Sequence, residues 1–125
     1  MRFQIVSITD RGVANRERLH LRALADADVA YLVVFLTKYM KVDAVLSGTG
    51  AAYWFPKKLV KAGDQVVLYS AAGVNTETKN PDGSTNHFFY WGMPQTIWHD
   101  INSTVVLFET YDWQTAPPFG PSPTA

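Results

Sequence analysis

Residues 17–23 alternate without a break: Leu19, Leu21 and Ala23 fall on one side, Arg18, His20 and Arg22 on the other. Successive side chains of an extended strand point to opposite faces, so this period of two predicts a half-buried β-strand. A helix competes for the segment, because residues 16–30 are rich in helix formers and Asn15 is a suitable cap. The helix loses on two counts. Its apolar residues form no stripe at helical spacing, and the next run, Tyr31-Leu32-Val33-Val34-Phe35-Leu36-Thr37, is β-branched and aromatic. A short turn or 3₁₀ segment fits at residues 24–28.

Strand signals then recur between turns. Phe3–Thr9 precedes the turn-like Asp10-Arg11-Gly12, and residues 30–38 read as a central strand with apolar side chains on both faces. Residues 43–46 lead through the turn Ser47-Gly48-Thr49-Gly50 to a strand at 51–55, which Pro56 closes because it has no N–H for a ladder. Ala62-Gly63-Asp64 turns into a strand at 66–70, and Asn80-Pro81-Asp82-Gly83 is a strong turn. Strands at 88–91, 97–98 and 104–109 complete about seven to nine short strands, the pattern of an all-β sandwich or barrel. Residues 1–115 form the one domain expected of this length. Residues 116–125, with Pro117, Pro118, Pro121 and Pro123, form an extended or disordered tail.

Composition narrows the function classes. Eleven basic and eleven acidic side chains cancel, so no bulk charge draws the protein to nucleic acid or membrane. The cations all lie at or before Lys79, which hints at a basic face from Arg11, Arg16, Arg18, Arg22, Lys57, Lys58 and Lys61; a solvated surface is the plainer reading. The absence of cysteine removes disulfides, thiolate metal sites and cysteine nucleophiles. Residues 1–7 are too short and polar for a signal core, and residues 31–36 are far short of a membrane span. A cytoplasmic location is expected, or a secreted one if a leader has been removed.

The segment richest in chemistry is Asn86–Asp100, with two histidines, an aspartate and five aromatic rings. His99 and Asp100 are neighbours, and adjacent strand residues face opposite ways, so they do not pair as base and orienter in an extended segment. None of Ser7, Ser47, Ser70 and Ser103 sits in a nucleophile elbow. His20, His87 and His99 lack the spacing of a metal motif, so each is read as a surface or hydrogen-bonded histidine, and no cofactor or metal is expected. Asn102-Ser103-Thr104 fits a glycosylation acceptor, irrelevant without secretion. The aromatics are left, and packing is their first role. A ring off the core, Trp91 or Trp113, is a candidate stacking surface for sugar or nucleic acid.

Two blocks carry a family resemblance. The first is Tyr53-Trp54-Phe55-Pro56, Leu59 and Ala62-Gly63-Asp64-Gln65-Val66-Val67-Leu68; the second is Phe89-Tyr90-Trp91-Gly92 followed by Ile97-Trp98. Together they resemble the lamin tail domain family, in a bacterial, stand-alone form. The resemblance implies an immunoglobulin-like β-sandwich without catalytic activity, and gives Tyr53, Phe55, Pro56, Gly63, Asp64, Tyr90, Trp91, Gly92 and Trp98 structural roles. In lamins the domain binds proteins and DNA. This chain departs from the pattern at residues 40–46, where a Gly-Trp-x-Leu strand is usual, and at Asn102-Ser103, where Gly-Asp is usual. The expectation is an interaction module for a protein partner, with nucleic acid through the Arg/Lys set or carbohydrate through exposed tryptophan as alternatives.

Overall fold

The computed structural model describes residues 1–41, 44–45 and 50–118. Ser47-Gly48-Thr49, the ends of the strand expected at 43–46 and the prolines beyond Pro118 lie outside them. The chain is all-β, with eleven strands and a single 3₁₀ turn, Val29–Tyr31, among the described residues. The strands are β1 (Phe3–Thr9), β2 (Arg18–Ala23), β3 (Ala27–Asp28), β4 (Leu32–Lys41), β5 (Ala44–Val45) and β6 (Ala52–Trp54). They continue with β7 (Leu59–Val60), β8 (Gln65–Tyr69), β9 (Thr76–Lys79), β10 (Thr85–Tyr90) and β11 (Ser103–Glu109).

One sheet has the order β1-β2-β8-β10-β9. In a second, β4 lies between β11 on one side and β5 and β6 on the other, while β3 and β7 pair as a small ribbon. The alternation at β2 is as expected: Leu19, Leu21 and Ala23 are buried, while Arg22 is exposed. All pairings are antiparallel except β8–β10. The chain leaves β8, runs to the edge as β9, turns at Asn80-Pro81-Asp82-Gly83 and returns as β10 between them. Gly83 at φ +90° and the Gly83 N–H on the Asn80 carbonyl (3.0 Å) close that turn.

Both sheets face one core. Leu19, Leu21, Val66, Leu68 and Phe89 enter it from the first sheet, Leu32, Val34, Val105 and Leu107 from the second. Phe55 sits between, edge-on to Tyr53 (4.9 Å) and to Phe89 (5.1 Å). Phe89 is 4% exposed and Gly92, at φ +80°, follows the strand end, so the Phe-Tyr-Trp-Gly stretch buries Phe89, packs Trp91 partly against the core and stops. Trp98 is fully buried, but residues 97–98 are loop rather than the expected strand.

The edges of the two sheets are tied to each other at both ends. Arg2 donates its backbone N–H and its Nε to the two oxygens of Glu109, each at 2.8 Å. At the other end Arg11 Nη1 donates to the Ser103 carbonyl at 2.6 Å. These contacts join the residue before β1 and the loop after it to the two ends of β11.

Candidate functional site

The buried carboxylates hold backbone. Glu17, fully buried, accepts from Gly12 N–H (3.0 Å) and Trp98 N–H (3.1 Å) on one oxygen, and from Ser70 Oγ (2.5 Å) and Ile97 N–H (2.7 Å) on the other. Burial pushes this carboxyl up, but the Ser70 hydroxyl and the three N–H groups outweigh it and hold the group below its ordinary value. Asp64 accepts from Lys61 N–H (3.0 Å), Thr85 N–H (3.0 Å) and His87 Nε2 (2.9 Å), and is held low against the same burial effect. An ionised Asp64 only accepts, so His87 Nε2 is the donor in this bond. The His87 Nδ1 is buried and has no partner among the described residues, and the ring borders a cavity of about 230 Å³ beside the Lys58–Glu77 ion pair.

The three histidines lie apart. His87 points inward from β10, His20 is on the opposite face of the same sheet, and His99 is in the exposed loop, facing the Thr96 carbonyl. Among the described residues no three His, Asp or Glu side chains are grouped to hold a metal ion.

The cations of the expected basic face are divided. Arg11 is tied to β11, Arg18 pairs with Asp10 (2.8 Å) and Lys58 with Glu77 (2.5 Å). Arg16, Arg22, Lys57 and Lys61 are exposed. Arg18 and Arg22 stand about 13 Å apart along β2. The Arg18 guanidinium lies 5.8 Å from the centre of the Tyr69 ring, which stacks on Tyr90 at 5.1 Å and 11°. Gly73 is so close to Tyr90 that a Cβ there would stand 2.4 Å from the ring. The outward tyrosines of this sheet are therefore occupied by one another and by their neighbours.

The outward face of the second sheet is different. Strand register places Trp54, Val33 and Phe108 in one row and Ala52, Phe35 and Val106 in the next. The rows carry no charge, and Trp54 (55%) and Phe108 (53%) are exposed. Phe35 supports Phe108 from 5.0 Å. Beyond the first row Trp113, 56% exposed, meets Trp54 edge to face at 5.5 Å. Trp54 Nε1 donates to the Ala30 carbonyl at 2.7 Å, which fixes that ring, and Asp112 Oδ1 accepts from Trp113 N–H at 2.8 Å. The two indoles line an open groove of about 550 Å³ together with Ala30, Val33, Thr110 and Asp112.

Of the two expected stacking rings, Trp113 is on this face. Trp91 is half-buried against the core, 5.9 Å from Tyr53 and 6.3 Å from Trp98. Sequence reading missed Trp54 and Phe108 as surface residues. The signal was present: in Tyr53-Trp54-Phe55 the outer two share a face, and β4 is apolar on both.

No protein-family model matches the chain, and no curated protein is detectably similar to it in sequence.

Proposed function

We propose that this domain is a non-catalytic interaction module that engages a protein partner through the outward face of its second sheet. The observation that carries the reading is the uncharged pair of rows containing Trp54, Val33, Phe108, Phe35 and Val106, two of whose rings are more than half exposed. Three exposed large rings, Trp54, Phe108 and Trp113, together offer on the order of 250–400 Å². That is the size of the largest apolar patches on soluble monomers, which are commonly contact sites. Tryptophan is also the side chain most enriched among residues that dominate binding energy. The non-catalytic part of the reading is supported by Glu17 and Asp64, whose oxygens are engaged by backbone N–H groups, Ser70 and His87.

The finer fold reading is an immunoglobulin-like sandwich similar to the lamin tail domain. It is supported by two sheets sharing one core and by the motif residues: Phe55 is buried, Gly63 and Gly92 have positive φ, Asp64 secures the turn before β8, and Trp98 fills the core. The parallel β8–β10 pair departs from the antiparallel sheets of that class.

The test is a photo-crosslinking residue placed at Phe108 or, as a control, at Tyr90 on the other sheet. A discrete polypeptide adduct from Phe108 and none from Tyr90 is expected. Adducts from Tyr90 alone would move the interface to the other sheet.

A further inference from the structure

We propose that the groove lined by Trp54 and Trp113 receives an extended, proline-rich peptide segment carrying a basic residue. This rests on the reading of the aromatic face as a protein interface and names the partner's chemistry. Its aromatic side is the two indoles in edge-to-face contact, 5.5 Å apart at 74°, and Ala30 and Val33 add aliphatic lining. A polyproline II segment matches such a groove, because its pyrrolidine rings form ridges that pack against aromatic side chains.

Its carbonyls make no internal hydrogen bonds and need donors. Trp113 Nε1 has no hydrogen-bond partner among the described residues, and the exposed Gln114 amide lines the same groove. Trp54 Nε1 is engaged by Ala30, so Trp54 acts as a fixed wall rather than a donor. A ring fixed before binding, as Trp54 is, loses little freedom when a ligand arrives.

Charge sets the sign of the ligand. Asp112 lines the groove and forms no salt bridge among the described residues; its Oδ1 holds the Trp113 N–H, which leaves Oδ2 for a cation. The chain's own Ala116, Pro117 and Pro118 are exposed, so those residues do not fill the groove.

The experiment titrates the full chain with a ten-residue proline-rich peptide bearing one Arg, the same peptide with that Arg replaced by Glu, and a β-linked glucose oligosaccharide. Tryptophan emission is the readout, since Trp54 and Trp113 are exposed whereas Trp98 is buried. The Arg peptide is expected to give a saturable blue shift that Trp113→Ala abolishes. The Glu peptide is expected to bind about fivefold more weakly, the size of an exposed ion pair. Asp112→Asn should erase the difference between the two peptides. Equal binding of both peptides to the unmodified chain overturns the proposal. If neither peptide binds while crosslinking from Phe108 still yields its adduct, the peptide proposal falls alone. If only the oligosaccharide saturates the shift, both it and the protein reading fall.

Discussion

Glu17 accepts the Ser70 hydroxyl at 2.5 Å, in a position where neither residue is more than 2% exposed. The bond joins the residue before β2 to the residue after β8, and the same carboxylate fixes the loop that carries Trp98. Each oxygen takes two donors, so the site is a full anion cradle.

Glu17→Gln should therefore be costly although it is nearly isosteric. The amide keeps one acceptor oxygen and turns an NH₂ toward two N–H or O–H donors. A loss of about 2–4 kcal/mol in urea unfolding is expected, with Ser70→Ala costing about 1–2 kcal/mol. A Glu17→Gln variant as stable as the parent would remove the cradle from the account.

Stability should fall in acid, with a sign that follows from the carboxyls. In Glu17, Asp64 and Glu109 burial raises the proton affinity, but hydrogen bonds dominate and leave each group below its ordinary value of 4.5 for Glu or 3.8 for Asp. A depressed folded value means stability that is present above the ordinary value and lost as pH falls through the folded one. His20, lowered by burial and then by Arg18, acts in the same direction, starting below 6.5. The urea midpoint should decline gently below about pH 6.5 and steeply below about pH 4.5. Glu109→Gln should flatten the acid part, and an unchanged slope would contradict the assignment.

Gly73 makes a separate test of the tyrosine stack. A Cβ at this position would stand 2.4 Å from Tyr90 Cδ1, and Tyr90 is backed by Tyr69 at 5.1 Å. Gly73→Ala is expected to cost about 1–3 kcal/mol, the range for overpacking. In a Tyr90→Ser background most of that cost should vanish, since the coupled pair is in direct contact.

Much of the fold was legible because burial leaves a period of two. β1, β2, β4, β8, β10 and β11 were each anticipated within a few residues. β9 was not: Thr76–Lys79 is exposed throughout, so no alternation marks it, and it forms because the turn at residues 80–83 returns it against β10. Residues 97–98 read as a strand, yet their N–H groups go to Glu17 instead of a neighbouring strand. The chain bends at residues 24–26, within the expected 24–28, and the 3₁₀ turn follows at Val29–Tyr31, where Asp28 caps it by accepting from Ala30 N–H. The apolar character of both faces of β4 was visible, but sequence alone does not say which face the other sheet covers. That is why Trp113 was named as a surface ring while Trp54 and Phe108 were not.

The most direct test of the aromatic face compares non-covalent capture of the polypeptide that crosslinking identifies by three forms of the full chain at low and high salt. They are the parent, a Trp54→Ser/Phe108→Ser variant and an Arg22→Glu/Lys61→Glu variant. Each is first checked for an unfolding free energy within about 1 kcal/mol of the parent, as surface changes allow. The account predicts equal capture by the parent and the charge variant, little loss with salt, and no capture by the Trp54/Phe108 variant. Undiminished capture by that variant, with loss in the charge variant and in high salt, would contradict it and return the binding site to the cations.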